Sequence, residues 1–505
     1  MITALTLVPL LGGLIVAFIG RAGLARAIGL GFSLLAFALA LTLWVRFDSA
    51  SAELQFVERY DWAPSLGAEY FVGMDGLSLL MVLLTCLVIP FALVAAWKFE
   101  RASNTYIALM LALQCGLIGT FTALNFFHWF MYWELGLVPA YFLIKLWGGP
   151  NRSAAANQFF IYTLVGSVTL LLSFLAIYWA TGTFDFIQLA ELGRSGKLSE
   201  SLMLKLGWYR LSTESLAMVI FGGALLGFAV KVPLFPFHTW LPAAYSEAPS
   251  TTSMVLTGVL SKMGIYGFLR ILMPIFPEQM RAVLTPLLWL SVATIVFSAF
   301  AAFAQRDLKR MLGYSSINHL GYCLLGIFAA MKYPGLTLEK TAALNGVLLQ
   351  VFNHGITASA LFCFVAVLEH RSGGLKYIDS FAGLRQAAPI FCGLMGISVF
   401  ASLGLPGLNG FVGEFLIFKG AFPLAPWAAA VALLGLLATA VFLITMMQKM
   451  FHGPLQARPF ADLRPAEWII VAPAVALMFG LGIWPDLILK FTNATVASFA
   501  AQLAN

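Results

Sequence analysis

The chain has 505 residues, 61% hydrophobic and only 10% charged. A soluble domain carries about 25% charged residues, and a chain this apolar cannot cover its own surface in water, so lipid must do the covering. The net charge of +7 does not point to nucleic acid, because the basic residues lie singly in short connections (Arg21, Arg26, Lys98, Arg101, Arg152), as the flanking charges of membrane spans do.

About 20 apolar residues cross a bilayer as a helix. The pattern predicts an all-α bundle of fourteen spans, at 2–20, 24–45, 74–97, 106–124, 126–147, 158–181, 214–237, 243–272, 282–304, 311–330, 341–368, 389–422 (broken), 427–450 and 466–489. The N-terminus lacks a basic region before its apolar run from Leu5, which predicts a retained first span. The tightest junction is Leu124-Asn125-Phe126. The longest loops, Arg46–Gly73 and Thr181–Thr213, mix charges with Gly, Ser and aromatic residues and read as surface caps.

Orientation follows from the bias of Lys and Arg. The odd-numbered connections hold Arg21/Arg26, Lys98/Arg101, Arg152, Arg306/Lys309/Arg310, Arg371/Lys376/Arg385 and Arg458/Arg464. The positive-inside rule places these in the cytoplasm and both termini outside.

Two segments break the helical rhythm: Lys231-Val232-Pro233-Leu234-Phe235-Pro236 and Leu403-Gly404-Leu405-Pro406-Gly407-Leu408-Asn409-Gly410. Proline removes a backbone donor and clashes with the preceding turn. Inside a membrane such breaks survive only when buried in protein or lining a wet cavity. The breaks lie five spans apart, and an odd offset reverses direction. That predicts two inverted five-span repeats, 106–273 and 274–450, between N-terminal spans in 1–105 and a last span in 451–505. Two unrelated proline kinks are the alternative.

Four charges lie at membrane depth: Glu134, Lys231, Lys262 and Glu414. Each costs about 2.5–3.5 kcal/mol on insertion scales. Together that is on the order of 10 kcal/mol, comparable with the net stability of a domain. They must pair, meet water or shift toward neutrality, which are the properties of a proton relay. Glu134, in Tyr132-Trp133-Glu134-Leu135, is expected to pair with Lys231; the plainer reading is a static ion pair. Lys231 precedes the first break, with snorkelling to an interface as its alternative. Lys262 lies between small Ser261 and Gly264, deep in its span. Glu414 follows the second break as the counterpart of Lys231, with a helix-start carboxylate meeting the dipole as the alternative.

His319 and His354, beside Asn318 and Asn353, sit in central spans, where a histidine can bridge Lys and Glu near neutral pH. His238 is a further candidate, and a satisfied core histidine is the competing reading for each. Trp240 either stacks beside the lysine site or anchors an interface. Asp75 is expected to cap the third span. His128 and His452 read as peripheral. The cysteines (Cys86, Cys115, Cys323, Cys363, Cys392) sit in apolar stretches without a CxxC pair and read as buried thiols, with neither metal nor disulfide. No iron–sulfur or haem ligand pattern occurs, so any redox cofactor is expected in other chains.

The motifs that carry these residues resemble the antiporter-like subunits of respiratory complex I, most closely the subunit M (NADH dehydrogenase subunit 4) class. They are Trp133-Glu134-Leu135, Lys231-Val232-Pro233-Leu234-Phe235-Pro236-Phe237-His238-Thr239-Trp240-Leu241-Pro242, Lys262-Met263-Gly264, Tyr314-Ser315-Ser316-Ile317-Asn318-His319-Leu320-Gly321, and Gly404-Leu405-Pro406-Gly407 through Gly413-Glu414-Phe415. The resemblance runs over nearly the whole chain. It implies fourteen spans with two inverted repeats, Glu134 and Lys231 as a switching pair, Lys262 as central proton carrier, His319 and His354 as bridging relay, and Glu414 as exit-side carboxylate. The sister L-like and N-like subunits usually carry Lys at that last position. Where the family usually reads Asp-Ala-His, this chain has Ala243-Ala244-Tyr245.

The resemblance implies a proton-pumping subunit of an NADH (or ferredoxin):quinone oxidoreductase in a bacterial inner membrane. Its partners would be other membrane subunits, above all L-type and N-type neighbours, with lipids and protons. This chain binds no cofactor in that reading; flavin and iron–sulfur clusters sit elsewhere. A subunit of a cation/proton antiporter or hydrogenase-type pump is the alternative. An inert spacer is disfavoured by the cost of four buried charges.

Overall fold

The computed structural model describes residues 1–99, 103–207, 211–455 and 460–504. Arg101 and Arg458, counted above among the basic connections, lie outside these. The helices are α1 (Ile2–Ala17), α2 (Ala22–Arg46), α3 (Gly76–Phe99), α4 (Asn104–Thr122), α5 (Phe126–Trp147), α6 (Arg152–Thr181), α7 (Phe186–Arg194), α8 (Lys197–Leu206), α9 (Thr213–Lys231) and α10 (Trp240–Glu247). There follow α11 (Ser250–Ile275), α12 (Leu284–Phe303), α13 (Leu308–Ala330), α14 (Thr337–Ser372), α15 (Pro389–Leu403), α16 (Asn409–Leu424), α17 (Pro426–Phe451), α18 (Pro465–Ile483) and α19 (Asp486–Ala504).

Among the described residues nine helices are long and apolar enough to cross a membrane, or ten if the bent pair α18–α19 is one span. This is a polytopic helical membrane bundle. α5 and α13 have spanning length but fall outside the apolar set; they carry Glu134 and His319. In their most apolar stretches α14 is wholly buried and α11 is 94% buried, against 28% for α2 and 39% for α6 and α17. The first two therefore form the centre, and the others present residues such as Leu35, Leu172 and Leu437 outward, where lipid can cover them.

The all-α expectation fails in the first long loop. Gln55–Ala63 (β1) and Ala68–Met74 (β2) pair as an antiparallel hairpin. The run is rich in Phe, Val, Tyr and Trp, and Pro64-Ser65-Leu66-Gly67 supplies the turn. Gly67 has φ 62°, and a Cβ there would lie 2.3 Å from the Tyr178 ring. The second long loop folds as α7 and α8, with Asp185 capping α7 and pairing with Arg59 of β1 at 3.0 Å. The N-terminal ammonium and Thr3 bond Glu58, and Lys340 donates to the Leu503 carbonyl at 2.6 Å.

Two boundaries differ from the sequence reading. The run 243–272 is divided: α10 ends at Glu247, Ala248 before Pro249 is extended (ψ 150°), and α11 starts at Ser250. The first break therefore yields a half-helix, α10, that belongs with α9. At the chain end Pro485 stops α18, and α19 turns away by 62° to pack on α3 and α14. Asp75 caps α3 as expected, accepting from Ser78 N at 3.0 Å, and it also holds Arg270 of α11 at 2.5 Å. Asp75→Asn is expected to cost about 3–5 kcal/mol, because it strands a buried guanidinium; thermal unfolding of the purified complex measures it.

Candidate functional site

The site is assembled where the two broken spans meet the centre. α9 stops at Lys231 because Pro233 and Pro236 cannot continue it. The indole N–H of Trp240, wholly buried, donates to the Val230 carbonyl at 3.0 Å, so the tryptophan staples the break one residue before the lysine. It serves the backbone and not the ammonium. Trp240→Phe is expected to cost about 1–3 kcal/mol through an unsatisfied buried carbonyl, read as a lower unfolding temperature of the complex.

Lys231 is 2% exposed, and its Nζ lies 4.7 Å from the centre of the Trp133 ring. The Trp133 N–H donates to Ser167 Oγ at 3.0 Å, which fixes that ring. The expected Glu134–Lys231 contact is absent: no ion pair within 4.0 Å joins them, and Glu134 Oε1 is buried without a partner among the described residues. The two charges do not touch in this state; the ammonium rests on the Trp133 ring.

α11 reaches the break through Gly264, where a Cβ would lie 2.9 Å from Val232 N and 2.3 Å from Val232 Cγ2. Gly264→Leu is expected to destabilise by about 1–3 kcal/mol through overpacking and to move the two lysine-bearing elements apart. Assay of proton translocation alongside thermal stability reads both effects.

Lys262 is wholly buried. Leu256–Leu260 and Phe268–Leu272 on either side of it are π-helical, a geometry that leaves carbonyls without their usual partners. The Lys262 ammonium donates to the Thr257 carbonyl and approaches His354 Nδ1 at 2.8 Å. The His354 ring, on α14, lies 4.9 Å from that of His319 on α13. His319 Nδ1 is 2.9 Å from Glu414 Oε1 on α16, and its Nε2 is 3.2 Å from Ser402 Oγ on α15. Gln350 Nε2 donates to the same carboxylate oxygen at 3.1 Å. Four titratable groups from four helices thus form one buried line, Lys262–His354–His319–Glu414. Its steps are two polar contacts and one ring-to-ring contact.

Glu414 is the sixth residue of α16, beyond the first turn, so the carboxylate does not cap the helix. Nor does it mirror Lys231: the lysine ends its first half-helix, whereas the glutamate lies inside its second. The second break is held by Asn353 and Asn409, whose side chains each donate to the other's carbonyl, at 2.7 and 3.2 Å. His238 is not brought to this line among the described residues. Its ring packs on Phe235 and Phe297, with centres 5.5 and 5.1 Å away. His128, expected at the periphery, is 5% exposed.

Gln350, Ser402 and Thr257 were not anticipated. Uncharged residues at depth are no energetic anomaly, and Thr257 acts through its backbone. Gln350 had one available signal, its place four residues before His354 on one helix face. Tyr245, in the Ala243-Ala244-Tyr245 departure, donates its hydroxyl to the Leu256 carbonyl at 2.9 Å, and so ties α10 to the π-helical turn below Lys262. Beyond it, a cavity of about 430 Å³ opens, with the charged Glu247, Lys309, Glu369 and Lys376 in its wall. Burial pulls the Lys376 ammonium down, but Asp307 and Glu247 outweigh it and hold it above its ordinary value.

Residues 123–441, which include every group above from Glu134 to Glu414, match the transmembrane family described as NADH:quinone oxidoreductase/Mrp antiporter. The chain belongs to this family. NADH-quinone oxidoreductase subunit M of Rhodobacter capsulatus is 34% identical over 506 residues, covering 98% of this chain and 96% of that protein. F(420)H(2) dehydrogenase subunit M of Methanosarcina mazei is 36% identical over 516 residues, covering 99% and 98%. A chain of respiratory complex I from Thermus thermophilus with bound NADH has the same fold, with a TM-score of 0.86 at 30% identity over 100% of both chains. Both curated relatives are subunits M, the class that the motifs and Glu414 resemble.

Proposed function

We propose that this chain is a proton-translocating membrane subunit of an NADH (or ferredoxin):quinone oxidoreductase of the complex I type. The buried line Lys262–His354–His319–Glu414 carries the reading. Its members can each hold or release a proton, and their spacing lets a proton pass by small side-chain movements. Redox chemistry takes place in other subunits, which hold the flavin and iron–sulfur clusters. The chain itself moves charge.

In this scheme Glu134 and Lys231 act as a switch. Closing the Glu134–Lys231 contact would hold the lysine charged; in the geometry described, the ammonium rests on Trp133 and does not touch the carboxylate. Charge on Lys231 raises or lowers the cost of charge on Lys262 across the Gly264 contact, and the histidines hand the proton to Glu414. His238 and Trp240 support the break from which Lys231 projects.

The fold reading is fourteen spans with inverted repeats over 106–273 and 274–450, flanked by 1–105 and 451–505. It is supported by breaks of the same kind at α9–α10 and α15–α16, five spans apart. The environment proposed is a bacterial inner membrane with L-type and N-type neighbours and both termini outside. The contacts of Met1 with the hairpin and of Leu503 with Lys340 support termini on one side.

Affinity purification through a tag on this chain, followed by mass spectrometry of the intact complex, tests the reading. Flavin- and iron–sulfur-bearing subunits are expected in the complex. Recovery with antiporter subunits alone transfers the chain to the alternative, a cation/proton antiporter.

A further inference from the structure

A cavity of about 620 Å³ lies on the outer face between α1, α5 and the β1–β2 hairpin, away from the buried charge line. Its upper wall is aromatic. The rings of Tyr60 and Tyr70 lie 6.2 Å apart, Tyr70 and His128 4.6 Å, and His128 and Tyr132 4.8 Å; Trp62 closes the row 6.4 Å from His128. Tyr60 and Trp62 are 64% and 52% exposed, large aromatic areas that the described residues leave uncovered.

Two polar groups in this wall have no partner among the described residues. His128 is 95% buried, the complement of its 5% exposure, and its Nδ1 has no hydrogen-bond partner among them. Asp61 is exposed at the rim and forms no ion pair within 4.0 Å with any described residue. Its neighbours do better: Glu58 takes the N-terminal ammonium and Glu69 takes Arg59 at 2.6 Å.

Below the rim the lining turns apolar. Leu7 and Leu10 of α1 and Met131 and Leu135 of α5 form its floor. Leu10 is seven residues past Thr3, and Leu135 seven past His128, so both helices carry the groove about 10 Å inward from the polar rim.

We propose that this cavity binds a phospholipid whose headgroup ends in a primary ammonium. Aromatic faces attract a cation through their quadrupoles. The Asp61 carboxylate at the exposed rim supplies the opposite charge. The acyl chain then runs along Leu7, Leu10, Met131 and Leu135. An anionic headgroup without an ammonium would meet Asp61 with repulsion. The bound lipid would flank the face of α5 that carries Glu134, three residues beyond Met131. The inference needs only the membrane setting, so it stands or falls separately from the relay.

The test uses the whole complex, stripped of lipid in detergent and reconstituted in bilayers of equal phosphatidylethanolamine and phosphatidylglycerol. After re-extraction, the retained lipids are counted by mass spectrometry. Phosphatidylethanolamine is expected to be enriched, and Tyr60→Leu with Trp62→Leu to lower its retention about two- to five-fold per lost ring without changing phosphatidylglycerol. Both are exposed, so the chain should stay stoichiometric in the complex; if it does not, Asp61→Asn replaces them with the same expectation. Unchanged retention overturns the proposal, as does equal retention of phosphatidylglycerol, or a neighbouring subunit found seated in the groove.

Discussion

Lys262→Ala is expected to abolish proton translocation while NADH:ferricyanide reduction by the hydrophilic arm of the complex continues. The lysine is wholly buried, and its ammonium meets the Thr257 carbonyl and His354 Nδ1. It is the one primary amine in the described line. Loss of a group that gives and takes a proton costs roughly 10²–10⁴-fold in the step it serves. Ferricyanide reduction bypasses the membrane arm and reports an intact hydrophilic arm; the amount of this chain recovered in the purified complex reports assembly. Lys262→Arg separates charge from proton exchange. A guanidinium keeps the charge but does not deprotonate in a protein, so translocation is expected to fail with Arg as with Ala. If the Arg variant pumps at the original rate, a fixed positive charge suffices at this position, and the relay role assigned to the lysine is refuted.

The second large effect is expected at the other end. Glu414→Gln keeps the size of the side chain and one acceptor oxygen for His319 and Gln350, but it cannot take a proton near neutral pH. Translocation is expected to fall on the same scale as for Lys262→Ala. Stability should change by less than about 1.5 kcal/mol, because hydrogen bonding is largely preserved. Glu414→Leu removes the acceptor and strands buried donors, at a further cost of about 1–3 kcal/mol. A lower unfolding temperature is therefore expected for Leu and not for Gln, whereas translocation is lost in both. Normal pumping by the Gln variant would show that protons leave the line before Glu414. Proton uptake in reconstituted vesicles, followed with a pH-sensitive dye, gives the rate; thermal unfolding of the same samples gives stability.

Much of this site was legible from residue type and position. Lys262 and Glu414 stand out because charge in a run of apolar residues is costly, and Pro233, Pro236 and Pro406 mark the breaks because proline cannot donate. The hairpin was missed because its strands mix charged residues with aromatic and β-branched ones, so no repeating apolar face sets the pattern against a cap. The division of 243–272 had a signal, Pro249 between Ser246-Glu247 and Ser250-Thr251-Thr252-Ser253, which the length of the run outweighed. The lack of contact between Glu134 and Lys231 is a matter of packing: the sequence places both charges at depth, but which face of α5 meets α9 depends on the packing of Trp133 against Ser167.

The sequence by itself determined that this chain is a membrane bundle, which residues are buried at electrostatic cost and where two spans break. Those properties follow from local chemistry: transfer free energy, side-chain charge and the missing proline donor. Only the tertiary structure decided that Lys262, His354, His319 and Glu414 form one line, that Gln350 and Ser402 hold its far end, and that His238 stands apart. These depend on the approach and rotation of α11, α13, α14 and α16. Helix rotation is set by small residues such as Gly264 and Gly413, where the missing side chain lets two backbones come close enough for the polar groups to meet.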